Sequence, residues 1–347
     1  MEKEYFRFAV FGRSIHTCYF VQRLAREGFP KPLVIVSEDI EYLRDKRLLE
    51  PYGLWGNLEE LHSDSLCELF KLKTVNSKEA FELFKKYEPS LALSISCRNI
   101  IKKPVIDSFN GRIFNLHDSY LPNERGGALN TWRILNGIDT VGNTIHILDE
   151  GIDTGPIVVQ TNAKINEESP EPINYLLAEK NNCEELVDSF LEKIANNLVI
   201  PEVPQENDQS YYFPRLHTEV NGLINWDWDV ASIEKFIRAF GEPYPGAYSF
   251  LNKEKVHIVR SHIEVIPNVF HPYLNGKIVT ILDNGWARVI SGGKPLVIEG
   301  IRKDGERVKP RELLAVGDTL VSPLSALDKA REYKPTTKSM NIGEKSL

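Results

Sequence analysis

Short, β-rich apolar runs punctuate the first half of the chain. FRFAVF (Phe6 to Phe11), LVIVS (Leu33 to Ser37), SLALSIS (Ser90 to Ser96) and IFNLH (Ile113 to His117) are nearly continuous in apolar residues, the pattern of strands covered on both faces. Between them the apolar positions shift to helical spacing. A helix is predicted after the turn Gly12, Arg13, Ser14, running to about Glu27 and stopped by Gly28 and Pro30. Ser77 caps another, with Ala80, Phe81, Phe84 and Tyr87 on one face. Glu38 to Lys73 is polar and broken by Pro51, Gly53 and Gly56, which predicts loops with short helices. Ala128 to Asn136, closed by Gly137, predicts a further helix, and Glu171 to Leu198 one long one. Thr144 to Leu148 (TIHIL) and Pro156 to Gln160 predict strands flanking an acidic, glycine-rich loop. This β-α-β order predicts an α/β fold with a parallel sheet, whose carboxyl edge is where ligands bind.

The pattern changes after residue 200. Pro201 to Gln209 (PEVPQENDQ) reads as a linker, and residues 201–255 as linker and connecting elements that include a helix at Ser232 to Phe240. Short strands follow at Val256 to Val259, Gly276 to Leu282, Ala287 to Ser291, Pro295 to Ile301 and Asp318 to Val321, separated by Gly, Asn and Asp turns. They predict a small β-barrel over residues 256–325, with 326–347 as a charged, frayed tail. Residues 1–200 would then form the first domain.

Composition narrows the function. The chain has 347 residues and a formal net charge of −7, so nothing suggests a chain-wide basic surface for nucleic acid. The four cysteines are scattered without a CxxC pair or zinc-like spacing, and the first turn has one glycine where a dinucleotide fingerprint needs three. No metal site and no nicotinamide or flavin dinucleotide is expected. The N-terminus lacks a signal-peptide pattern and no run approaches the roughly 18 apolar residues of a membrane span, so a cytoplasmic protein without membrane contact is expected.

Three residues could do chemistry on a carbonyl. Asn115 and His117 are two apart in a strand and therefore share a face, and Asp153 lies in the acidic loop DEGIDTG. An amide N–H and a protonated imidazole could stabilise a tetrahedral oxyanion, an effect of about 3 to 4 kcal/mol per donor. A carboxylate nearby could collect a proton through water. Plainer readings exist for each: polar residues at strand ends cap loops, and Asp153 could be a turn-former before Gly155. Spacing leaves both open. Arg98, in the polar loop after SLALSIS, is either a ligand contact or an exposed charge. Trp55 is either a pocket wall or a lid over the sheet edge. His146 reads as a satisfied core histidine, and His16 as either that or a phosphate contact at a helix N-terminus.

The run FNLHDSYLP, followed some thirty residues later by DEGIDTG, closely resembles the signature of the N10-formyltetrahydrofolate-dependent formyltransferases, N-L-H-x-S-x-L-P and D-x-G-x-D-T-G. The resemblance implies a Rossmann-like catalytic domain over roughly residues 5 to 200 and a C-terminal barrel domain of OB-like type. It also implies N10-formyltetrahydrofolate as donor cosubstrate. The family's catalytic Asn, His and Asp fall on Asn115, His117 and Asp153, with Asp153 orienting His117 and relaying a proton. By the same similarity the folate site comprises Ser96, Arg98, Asn99 and Ile100, with Leu148, Asp149, Glu150, Gly151 and Ile152, and reads a pterin through main-chain groups.

The acceptor is read from weaker signals. PLVIEGIRKDGERVKPRELLAVGDTL resembles the end of the barrel in tRNA and sugar formyltransferases, whereas GLINW and PYPGAYSF look more like the version in enzymes acting on nucleotide-linked amino sugars. Pro272 to Leu320 holds eight Lys/Arg against six Asp/Glu, a small excess for gripping tRNA phosphates. The loop NERGGALNTW also departs from the basic pattern usual in the tRNA enzymes. A nucleotide-linked amino sugar is therefore the expected partner. Methionyl-tRNA formylation and a non-catalytic folate-binding protein are the alternatives. Arg125, Gly126 and Gly127 would border the acceptor pocket; Tyr120 is open, and Trp132 either stacks on sugar or base or packs its helix. Exposed barrel strands would suit a homodimer.

Overall fold

The computed structural model describes residues 6–37, 40–196, 200–267, 269–303 and 305–333. These fall into two compact units. Residues 6–126, 140–165 and 176–213 make the first, and 127–139, 166–175 and the described residues from 214 onward the second.

The first unit is built on a seven-stranded sheet. In chain order its elements are β1 (Phe8–Phe11), α1 (Ile15–Arg26), β2 (Leu33–Ser37), α2 (Ile40–Leu49), α3 (Leu58–Ser63), β3 (Glu68–Leu72), α4 (Lys78–Tyr87), β4 (Leu91–Ile95), α5 (Lys103–Asp107) and β5 (Ile113–His117). Then come β6 (Glu124–Gly126), α6 (Leu129–Asn136), β7 (Thr140–Ile147), β8 (Ile157–Lys164), α7 (Pro172–Ala195) and β9 (Tyr211–Phe213), of which α6 and the start of α7 belong to the second unit. The sheet order is β3-β2-β1-β4-β5-β7-β8. The strands from β3 to β5 are parallel, as the β-α-β pattern predicts. The last two are not: β7 pairs antiparallel with both β5 and β8. Only a short loop joins β7 to β8, too little chain for the crossover that a parallel pair needs. Strand β3 lies inside the stretch read as loops with short helices. It is an edge strand whose residues are mostly half-exposed, so its sequence ELFKL lacks the apolar continuity of the interior strands.

Alternation along each strand divides the core in two. Phe8, Val10, Val34, Leu93, Ile95, Phe114 and Leu116 meet α1 and α7 on one face, and Ala9, Phe11, Leu33, Ile35, Ala92 and Ile113 meet α4 and α5 on the other. In β5 this leaves Asn115 and His117 on the face of Ile113, with Phe114 and Leu116 pointing into the opposite core. Phe114 packs edge-to-face on the fully buried Phe190 of α7, ring centroids 5.1 Å apart.

The second unit continues with α8 (Thr218–Asn221), α9 (Val230–Ala239), β10 (Ala247–Leu251), β11 (Glu254–Ile263), β12 (Ile278–Ile281), β13 (Ala287–Ser291), β14 (Lys294–Lys303), β15 (Glu306–Val308) and α10 (Leu324–Glu332). Its antiparallel sheet runs β10-β11-β14-β13-β12, with β15 on β14. Residues 318–321 bridge the two edges: Val321 and Phe250 exchange both backbone hydrogen bonds, Leu320 donates to Gly276, and Ile278 donates to Asp318. The sheet is thereby closed, with Ile258, Ile278, Val289, Ile298 and Ile301 fully buried.

The compact units differ from the expected boundaries in three places. The barrel begins at β10, before residue 256. Residues 201–213 pack with the first unit rather than linking two bodies: Val203 pairs with Ile157, and β9 pairs in parallel with β6. Leu324–Glu332 is helical with Leu327 and Ala330 buried, so the first residues of the expected tail are folded; 334–347 lie outside the described residues.

Phe190→Ala should destabilise the first unit by about 3–5 kcal/mol, because it removes a fully buried ring from beneath β5. The midpoint of chemical denaturation, followed by far-UV circular dichroism, checks this.

Candidate active site

Strand β5 sets out the site. Asn115 sits directly across from His146 of β7 in the antiparallel register, and its Nδ2 donates to His146 Nε2 at 3.2 Å. The other imidazole nitrogen, Nδ1–H, donates to the carbonyl of Ile147 at 2.8 Å. Those two bonds define the tautomer: Nε2 carries the lone pair, and the Asn115 amide must turn its NH2 toward it. One amide N–H of Asn115 is thus spent on His146 and the second is left to face the site. Burial pushes the His146 pKa down to about 4, against attraction from Asp153 that raises it. It is a satisfied core histidine, and it also orients Asn115.

His117 is held differently. Its Nε2–H donates to the Glu124 carbonyl at 2.9 Å, and Ser119 Oγ donates to the same oxygen at 2.7 Å. His117 Nδ1 then faces Asp153 Oδ1 at 3.7 Å, beyond direct hydrogen bonding. The expected direct orientation of His117 by Asp153 is therefore supplied by the Glu124 carbonyl instead. Asp153 Oδ1 is also 3.8 Å from His146 Nε2, so one carboxylate oxygen lies near two imidazoles without a direct hydrogen bond to either.

The loop carrying Asp153 is over-determined. It leaves β7 where Leu148 N–H donates to Ile113, and Asp149 Oδ1 accepts from Gly151 N–H and Thr154 Oγ1. Asp153 itself is in the left-handed region, φ 54°, and its Oδ2 accepts from Gly126 N–H at 3.0 Å. Gly126 has φ 104°, and a Cβ there would lie 2.1 Å from the Phe213 carbonyl, so no other residue fits between β9 and the carboxylate. Gln205 completes the support, its Nε2 donating to the carbonyls of Asp153 and Gly155 at 2.9 and 2.7 Å. Arg125 in turn donates to Gln205 Oε1 through Nε and Nη2.

The remaining expected residues separate as follows. Arg125 is buried against Gln205, Gly126 touches Asp153 through its backbone, and Tyr120 is 42% exposed. Gly127 and Trp132 belong to the second unit, where the Trp132 indole N–H donates to Pro214. After β4, Ser96 is exposed with φ 52°, Arg98 pairs with Asp45 of α2, the Asn99 side chain accepts from Val75 N–H, and the Ile100 carbonyl accepts from Asn76. Leu148 packs against the core beneath α5, while Glu150, Gly151 and Ile152 are exposed. His16 is buried with Nδ1 3.8 Å from Asp118. Gln205 and the Glu124 carbonyl support Asp153 and His117 without any signal in the sequence, and His146, read from the sequence as a satisfied core histidine, also contacts Asn115. Among the described residues, no group of three or more His, Cys, Asp or Glu is placed to hold a metal, and no helix is long and apolar enough to cross a membrane.

Two outcomes test this geometry. A histidine whose folded pKa lies below its ordinary 6.5 stabilises fully above that value and loses the contribution as pH falls toward about 4. Thermal stability should drop through that window, by about 3 kcal/mol from His146 alone, and His146→Gln should flatten the slope. Gln205→Ala should leave the two loop carbonyls without donors and speed hydrogen exchange across residues 149–155, read by mass spectrometry, with little change in the barrel.

Sequence and structure comparisons place this site in context. Residues 21–187 match the Formyl transferase family and residues 218–316 the Formyl transferase C-terminal domain. The chain is 32% identical over 199 residues to a methionyl-tRNA formyltransferase of Thermodesulfovibrio yellowstonii, covering 57% of this chain and 62% of that one. It is 28% identical to the methionyl-tRNA formyltransferase of Syntrophomonas wolfei subsp. wolfei, covering 76% and 82%. Its fold resembles the N-formyltransferase from Helicobacter canadensis solved with folinic acid and dTDP-3-aminofucose, with TM-score 0.60 and 21% identity over 84% of this chain and 98% of that one. With both domains of the family matched in order, the chain belongs to the formyl transferases.

Proposed function

We propose that the protein transfers a formyl group from N10-formyltetrahydrofolate to the amino group of a nucleotide-activated amino sugar. The observation that carries the reading is the convergence of Asn115 and His117 on one face of β5 with Asp153 in the loop after β7, at the positions of the family's motifs. In the reaction the amine nitrogen bonds to the formyl carbon, the carbonyl oxygen becomes an oxyanion, and the bond to N10 then breaks. The second amide N–H of Asn115 and the Nδ1–H of protonated His117 are the donors for that oxygen. The amine must lose one proton and N10 must gain one, and Asp153 Oδ1 carries that proton between them through a bridging water.

Main-chain groups at 96–100 and 148–152 would hold the pterin. The side chains of Arg98 and Asn99 are turned to Asp45 and Val75, which leaves the backbone as the reading surface there. Tyr120, Arg125 and Gly126 would border the acceptor, and the four cysteines, none of them in a disulfide, suit the reducing cytoplasm. The sugar reading draws support from the likeness to the Helicobacter canadensis enzyme and from the acidic chain. The curated relatives favour a second reading, methionyl-tRNA as acceptor.

Incubation with donor and a panel of dTDP-, UDP- and GDP-linked amino sugars should yield one product heavier by a single formyl group. Turnover of charged initiator tRNA with no sugar product would transfer the assignment to tRNA. Asn115→Ala should lower kcat by about 10²–10³-fold with little change in KM, the signature of a donor used in the transition state. Full turnover by that variant would falsify the site.

A further inference from the structure

The second unit contains a cavity of about 530 Å³, within the roughly 300–1,000 Å³ range of ligand pockets. It is walled by α6, α9 and α10 and by the chain around residues 214–216. Aromatic rings dominate the wall. Trp132 is tied at its indole N–H to Pro214, while Trp228 packs edge-to-face on Phe236 and Phe236 tilts against Phe240, with centroids 5.2 and 4.8 Å apart. Rings braced in this way present a rigid surface to a flat ligand.

The charged wall residues are all of one sign. Arg215, Lys235 and Arg331 line the cavity, and no carboxylate does. None of these three side chains makes a hydrogen bond or ion pair with another described residue. Arg215 and Arg331 are exposed and Lys235 is half-buried, so all three heads are open to a ligand entering the cavity. Three cations of one sign around an aromatic pocket, without a partner among the described residues, suit an anion carrying a planar ring.

We propose that this pocket binds a nucleoside diphosphate, its base among Trp132, Trp228 and Phe236 and its phosphates on Arg215, Lys235 and Arg331. Folates share the chemistry of an aromatic anion, and the test separates the two. The inference does not depend on formyl transfer, since it concerns binding alone.

Calorimetric titration of the full chain with dTDP, UDP and GDP, without donor or sugar, should show saturable binding that weakens as salt rises. The Lys235→Ala/Arg331→Ala double variant, whose thermal melting should match the parent, should bind about tenfold or more weakly. Asn115→Ala should bind like the parent, so a failure of the catalytic assignment leaves this result intact. Bound nucleotide should quench tryptophan fluorescence in the parent and less in Trp132→Phe. Nucleotide affinity indifferent to the double variant, no binding at millimolar concentration, or a charge-sensitive signal from 5-formyltetrahydrofolate alone would each overturn the proposal.

Discussion

The register between β5 and β7 is the constraint on which the site depends. Asn115 faces His146 because Phe114, Leu116 and Ile145 are committed to the core on the other side of the sheet. A slip of one residue would turn Asn115 and His117 into the packing around Phe190 and push Phe114 and Leu116 out. Burying each such apolar side chain is worth roughly 1.5–3 kcal/mol, so the wrong register is disfavoured by several kcal/mol before any polar contact is counted. The chemistry on one face is therefore positioned by hydrophobic burial on the other.

Asp153 depends on a different kind of restraint. A non-glycine residue at φ 54° carries a cost of about 1–2 kcal/mol and persists where its neighbours leave no alternative. Gly126 fixes one carboxylate oxygen, Gln205 fixes the residue's own carbonyl and that of Gly155, and Asp149 ties the loop's first turn. What remains unbound is Oδ1, the oxygen that faces both imidazoles. The strain and the hydrogen bonds together leave the carboxylate one open acceptor and a single direction in which to use it.

Much of this was legible in the sequence, and the limits have physical causes. Period-two alternation put Asn115 and His117 on one face, and the acidic motif pointed to Asp153, because both are local patterns. His146 sits in an alternating strand whose partner is thirty-one positions away, and nothing local states the pairing register that makes it the support of Asn115. Gln205 lies in a polar, proline-containing stretch that reads as a linker, since a single glutamine bonding two carbonyls fifty residues away leaves no compositional trace. Strand β3 was hidden because an edge strand tolerates the polar residues that an interior strand excludes. The closure of the barrel by residues 318–321 was partly visible as a short strand, but not the edges it joins.

Two histidines stand about equally far from one carboxylate oxygen, and burial distinguishes them. His146 is 2% exposed and its pKa is driven to about 4, so near neutrality it stays uncharged and offers a lone pair to Asn115. A charged His146 would lose that acceptor, release the Asn115 amide, and hold Asp153 in an ion pair across a gap of 3.8 Å. Keeping it neutral leaves the open oxygen of Asp153 to His117, whose other nitrogen is already anchored on Glu124. Desolvation of one imidazole thus keeps it out of an ion pair with the carboxylate and available to the Asn115 amide.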